Sequence, residues 1–356
     1  MNPGNNPFVI VVGAGGVGKT TLAAAMGMAS AGAGDNTLVM TFDPSERLKD
    51  TLGVGEAARD AEAPVAAGLP GTLHASLLDA RLIFDRLIAR YAPDEDCHQR
   101  ILTNRWYDHL SGSLAGVLEY MAVERLFEVA SSGKYSRVFL DTPPARQALD
   151  FLGAPDRLVS FLDSGALRIA LKPWFDTRGR LKATSRLGFI GRNVESLLDR
   201  MVGLEVLRDM AEFFQSFGPL YDGFRERALK VKELLQSKDT IFVLVSGPGS
   251  QRVTDTIFFA RKLTEEGYRL GPIIVNRVHP KISDCGPVKF STALRDGRQL
   301  LSWLGEQERR GVEELRTLLG GSHPLIEIPL LPSEPTDLQS LSELGELYRE
   351  TLDATL

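Results

Sequence analysis

Residues Gly13-Ala14-Gly15-Gly16-Val17-Gly18-Lys19-Thr20 read G-x-x-x-x-G-K-[ST], and they stand between the apolar run Phe8–Val12 and the helix-like stretch Thr21–Ala31. No other feature constrains this chain so tightly. The glycines let backbone N–H groups bend around a phosphate without side-chain clash. Lys19 can reach β- and γ-phosphates, and the Thr20 hydroxyl can bind Mg²⁺. Gly15, Gly16, Val17, Gly18, Lys19, Thr20 and Thr21 are therefore the candidate nucleotide-binding residues, with Lys19 also a catalytic candidate. The competing explanation is a plain glycine-rich turn. The strand before the motif and the helix after it weigh against that.

Strand-like runs recur at Phe8–Val12, Thr37–Asp43, Arg137–Asp141, Ile241–Ser246, Pro272–Val278 and Leu325–Pro329, with helix-period segments between most of them. This alternation predicts an α/β fold, a mostly parallel sheet covered by helices on both faces. Between Asp141 and Ile241 the pattern changes. Arg192–Phe214 and Tyr221–Gln236 repeat apolar residues at steps of three and four with no strand candidate. The expected organisation is a discontinuous core, 1–163 and 238–356, interrupted by a helical insertion at 164–237. Three predicted helices within Asp79–Ser131 are candidates to join the same cap. Gly53–Pro70, rich in Ala, Gly and Pro, reads as a loop, as does Lys172–Gly191.

Phosphoryl chemistry needs a carboxylate at the end of a neighbouring strand to hold the Mg²⁺ shell, and Val138-Phe139-Leu140-Asp141 supplies an apolar run ending in Asp. Thr20 and Asp141 are the metal candidates, although many strands end in an Asp that only caps the next helix. Asp43 follows another strand run. It is either a residue that positions or activates water beside the γ-phosphate, or a capped turn, because Asp-Pro favours turns.

The 356 residues carry 41 Lys+Arg against 46 Asp+Glu, a net charge of −5, which argues against a nucleic-acid partner because no basic surplus exists to neutralise phosphates. Apolar runs fall short of the roughly 18 to 20 residues of a membrane span, so no direct span is expected. Cys97 and Cys285 are the only cysteines, which suits a reducing cytoplasm and excludes a four-cysteine metal site within one chain.

Taken in order, GAGGVGKTT, TFDPSERLKDTLG, DTPPARQALDFLGAPDRL, IIVNRVHP and IPLLPSEPTD resemble the arsenite-pump-driving ATPase family, which includes the eukaryotic ATPase that delivers tail-anchored membrane proteins. The likeness is closest to an actinobacterial-type branch that lacks a signature lysine. The resemblance implies a Mg²⁺-dependent ATPase that binds ATP and ADP and works as a dimer, coupling hydrolysis to movement of a helical subdomain. By it, Asp43 is the switch I aspartate that orients the attacking water, Asp141 begins switch II, and Asn276 hydrogen-bonds adenine. Pro332 begins the Pro332–Glu334 segment that flanks the base. From its chemistry alone, Asn276 is equally a base reader or a turn residue.

Three departures qualify the resemblance. Relatives carry a lysine where this chain has Ala14, and that lysine reaches across the dimer to the partner's nucleotide. Either hydrolysis is slow or a cation comes from elsewhere, with Arg47, Arg146 and a lysine-bearing paralogue as candidates. The alternatives are accordingly a homodimer or a heterodimer with a paralogous ATPase, in which this chain is a hydrolytically weak regulatory subunit. The CxxC pair of the eukaryotic relatives is missing, so no zinc is expected. Two cysteines so far apart in sequence also argue against a thiol arsenite site. Finally, Leu187–Phe224 is apolar enough to offer a hydrophobic client or membrane-protein partner a groove, or merely to pack as core.

Overall fold

The computed structural model describes residues 6–41, 47–59, 61–65, 68–104, 107, 117–142, 152–163, 213, 216–280, 297–319 and 321–355. The strands are β1 (Phe8–Gly13), β2 (Asn36–Thr41), β3 (Ala63–Pro64), β4 (Thr72–Leu77), β5 (Arg137–Asp141), β6 (Thr240–Ser246), β7 (Leu270–Val278) and β8 (Leu325–Pro329). They form one sheet in the order β3-β4-β2-β5-β1-β6-β7-β8. Every pairing is parallel except β3 with β4. The mostly parallel α/β expectation holds, and the runs at Arg137–Asp141 and Leu325–Pro329 match their strands residue for residue.

The helices are α1 (Lys19–Gly32), α2 (Arg47–Leu52), α3 (Ala80–Tyr91), α4 (Glu95–Leu102), α5 (Val117–Ser132), α6 (Ala154–Asp163), α7 (Tyr221–Gln236), α8 (Gln251–Glu265), α9 (Gly297–Leu319) and α10 (Leu338–Thr355). Two compact units result. The first comprises Met1–Asp79, Arg125–Asp150 and Glu233–Leu356, and the second Ala80–Glu124 and Phe151–Lys232.

In the first unit, β1 lies between β5 and β6 and is buried along almost its whole length. From β1 the chain crosses to β2 on one side, and β6 lies on the other, which makes the end of β1 a topological switch point. Helix α1 is rich in small residues and buried on most sides (Leu22, Ala23, Ala24, Ala25 and Met26 among them), as a helix covered by both sheet and helix must be. Its outer cover is α10. A Cβ at Gly345 would stand 2.4 Å from the Ala25 carbonyl oxygen, so glycine there permits the two backbones their close approach. The phosphate-loop helix is thereby fixed to the core along its length.

Two sheet strands escape the sequence reading. Gly53–Pro70, expected as a loop, contains a 3₁₀ turn at Glu56–Ala58 and the short β3, and β4 follows it. Strand β4 has the sequence TLHASL, whose Thr, His and Ser break the continuous apolar run that marks its neighbours. Burial is nevertheless high, with Ala75 and Ser76 inaccessible. Next to β3, the Glu62 carboxylate accepts from Arg125 Nη2 (3.0 Å), Lys134 Nζ (2.5 Å) and the Tyr135 hydroxyl (3.0 Å).

The described part of the second unit is helical. Phe213, Phe217, Leu220 and Phe224 are buried, and Phe217 meets Phe224 at a centroid distance of 5.0 Å while Phe84 stacks on Tyr107 at 5.5 Å. For these four residues of the apolar stretch the core explanation applies. Glu124 is buried beside them with its charge met by Arg227 (2.7 Å) and its second oxygen by the Tyr120 hydroxyl (3.1 Å). Most of Arg192–Phe214, all of Lys172–Gly191, Arg146 and Cys285 lie outside the described residues, as does the side chain of Arg47. No described helix is long and apolar enough to cross a membrane.

Burial pushes the Glu62 carboxyl up, but Lys134, Tyr135 and Arg125 outweigh it and hold the group below its ordinary value of 4.5. A depressed folded value means that its stabilisation is complete above about pH 4.5 and disappears as the pH falls through the folded value. Glu62→Gln is expected to cost about 0.5–1 kcal/mol at pH 7, small because solvent partly screens the cluster. Urea denaturation at pH 7 and again near pH 3 should show the gap from wild type closing at the lower pH.

Candidate active site

Strand β1 ends at Gly13, and α1 begins after five intervening residues. The turn between them uses backbone conformations that side chains resist, with φ of +75° at Gly16 and +92° at Gly18. Gly18 caps α1 without any side-chain hydrogen bond, and the first turn of the helix holds no acidic residue. Its N–H groups and the positive end of its dipole therefore face a region suited to an anion. Lys19 is 7% exposed, and its Nζ donates to the Ala14 carbonyl at 3.0 Å, so the amine folds back across the loop.

Asp141 closes the other side. It is the last residue of β5, 1% exposed, and register pairs it with Val11 of β1 and Thr41 of β2. Its Oδ2 accepts from the Thr20 hydroxyl at 2.6 Å and from the Thr41 hydroxyl at 2.8 Å. A hydroxyl that donates to a carboxylate keeps its oxygen lone pairs for another ligand. Hard oxygens from a threonine and an aspartate are the donor set that Mg²⁺ takes from a protein when phosphates and water supply the rest. The residues present fit that ion. The next residue, Thr142, is also buried and donates from Oγ1 to the Val11 carbonyl at 2.8 Å, which anchors the start of the segment after β5.

Asn276, near the end of β7, is 8% exposed and donates from Nδ2 to the Val17 carbonyl at 2.8 Å. Arg277 has φ +64° and points one guanidinium nitrogen at the Gly16 carbonyl (3.5 Å) and the other at Glu334 (3.3 Å). Glu334 belongs to the segment beginning at the exposed Pro332, just beyond β8. A cavity of about 520 Å³ opens beside the loop, lined by Gly16, Val17, Asn276, Arg277, Trp303 and the turn at Gly247–Arg252 among others.

The structure thus brings Lys19, Thr20, Asp141 and Asn276 to the carboxyl ends of the parallel strands, with Gly15, Gly16, Val17, Gly18 and Thr21 in or just after the loop and Pro332 at the neighbouring strand end. Asp43 lies outside the described residues. Sequence reasoning missed Thr41 and Arg277. Thr41 sits two residues before Asp43 at a strand end, and Arg277 directly follows Asn276, so position alone could have nominated both.

The family model described as anion-transporting ATPase matches residues 6–348. ATPase GET3B of Arabidopsis thaliana is 26% identical over 357 residues, covering 96% of this chain and 78% of the relative. ATPase GET3 of Malassezia globosa is 25% identical, covering 95% and 89%. A protein of Streptomyces coelicolor whose activity its name leaves open, SCO2128, is 26% identical, covering 86% and 71%.

Removing one donor from a buried carboxylate exposes the cost of desolvating it. Thr41→Val is expected to lower stability by about 1–3 kcal/mol, and Thr41→Ser to recover most of that loss. Denaturant titrations in a double-mutant cycle with Asp141→Ala should give a coupling energy of similar size. A coupling near zero would mean that the Thr41–Asp141 contact carries no stability.

Proposed function

The chain belongs to the anion-transporting ATPase family, and from that premise we propose a Mg²⁺-dependent nucleotide switch that closes as a dimer on ATP and reopens on hydrolysis to move a helical partner- or client-binding subdomain. The observation that carries it is the 2.6 Å bond between the Thr20 hydroxyl and Asp141, which joins the phosphate loop to the strand end where a metal-holding carboxylate is needed.

In this reading the N–H groups of the loop and of the first turn of α1 seat the phosphates. Lys19 leaves the Ala14 carbonyl and takes a phosphate oxygen in its place. Thr20 and Asp141 would hold Mg²⁺, which when bound neutralises charge developing on the phosphoryl oxygens. Asp43 positions the attacking water as a hydrogen-bond acceptor. Asn276 and Pro332 bound the adenine. No step here needs zinc or nucleic acid, and the cytoplasm is the expected compartment.

A second reading keeps the same site but makes this chain the slow member of a heterodimer with a lysine-bearing paralogue. Ala14 favours it. The residue is partly buried and packs against the hydrophobic core, so it offers a partner's nucleotide no cation.

Lys19→Ala is expected to weaken ATP binding by about a hundredfold or more in calorimetry, the loss of two charge-assisted hydrogen bonds at about 1.5–3 kcal/mol each. Unchanged affinity would sink the ATP site. Steady-state phosphate release by this chain alone and mixed with the paralogue separates the two readings. Full turnover alone excludes the weak-subunit reading.

A further inference from the structure

We propose that Asn276 is a positioning residue which, with Arg277, clamps two successive carbonyls of the phosphate loop and so orients the N–H groups that receive the phosphates. The inference rests on the nucleotide reading above and assigns to Asn276 a task that no base reader needs.

The loop has a mechanical weakness. Val17 lies between Gly16 and Gly18, whose left-handed φ values of +75° and +92° are available because neither carries a side chain. Glycines on both sides also let the intervening peptide planes rotate at little cost. In a trans peptide the C=O and N–H point in opposite directions, so a group that fixes the carbonyl also fixes the next residue's N–H. Asn276 does this for the Val17 carbonyl, turning the Gly18 N–H the opposite way, and Arg277 approaches the Gly16 carbonyl, which sets the Val17 N–H.

Steric fit tightens the arrangement. A Cβ at Gly18 would come within 2.4 Å of Asn276 Nδ2, so the amide fills the space that the glycine leaves. The backbone of β7 is strained at Arg277, the one non-glycine residue at positive φ among the described residues. Such strain persists where the surroundings over-determine it, and it gathers at sites where geometry serves function. An amide carries a second N–H and a carbonyl oxygen, so holding Val17 does not prevent Asn276 from also meeting a base. One side chain then links base recognition to the shape of the phosphate seat.

The test is calorimetric binding of Mg-ADP, Mg-GDP and inorganic pyrophosphate to the full chain and to Asn276→Ala and Asn276→Asp, with thermal melting to confirm folding. Asn276→Asp keeps the shape but presents an acceptor to the Val17 carbonyl. A clamp predicts that both variants lose affinity for all three ligands, pyrophosphate included, by about five- to thirtyfold for the alanine variant and more for the aspartate, with a lost adenine contact adding to the loss for ADP. Loss confined to ADP, with pyrophosphate affinity within about twofold of wild type, would overturn the clamp and leave Asn276 a base reader. A wild-type chain that binds neither nucleotide nor pyrophosphate would overturn the nucleotide reading and the clamp together.

Discussion

The rest of the site depends on one buried carboxylate. Asp141 receives hydroxyl donors from Thr20 at the start of α1 and from Thr41 at the end of β2, while its own strand is paired with β1 and β2 on either side. Three elements far apart in sequence therefore meet at one oxygen. A carboxylate removed from water is costly unless hydrogen-bonded, so each threonine stabilises the arrangement as well as shaping it. The same side chain that organises the core is the metal-holding carboxylate of the proposed function. These bonds tie α1, β2 and β5 together at one carboxylate.

Much of this was legible in the sequence because it is local. The phosphate loop declares itself through glycine spacing, and the central strands through continuous apolar runs, since a strand buried on both faces has no polar side to show. Strand β4 lacked that signature because His74 and Ser76 interrupt the run. It joins the sheet through its ladder with β2, a tertiary fact. The paired threonines on Asp141 were hidden for the same reason. Nothing in the spacing of residues 20, 41 and 141 announces a shared oxygen until strand order places β2 and β1 on either side of β5. Asn276 was nominated for adenine through family likeness, but its contact with Val17, 259 residues away in sequence, could come only from the fold.

The cation question also changes once side chains are placed. Arg47 and Arg146 were the sequence candidates to offset the missing lysine, and neither side chain is among those described. Arg277 is, and it stands at the loop with one arm toward Gly16 and the other in an ion pair with Glu334. Its described contacts are with the Gly16 carbonyl and the Glu334 carboxylate. The pair with Glu334 is exposed and holds weakly.

Ala14 and Asn276 bear on the same trade. A lysine at position 14 would have to leave the core to reach across to a partner, whereas the alanine methyl packs against the apolar cluster under the loop. That contact ties the loop to the core at Ala14. The clamp from β7 adds more, by fixing carbonyls on the opposite side of the same turn. A loop held from two sides binds phosphate with little reorganisation, which favours affinity. It gains nothing specific for the transition state, where an extra cation acts. On the proposed function, substituting packing for charge would shift the balance of this site toward holding nucleotide and away from rapid turnover. For a switch, whose output is the lifetime of a bound state, that balance is a workable design.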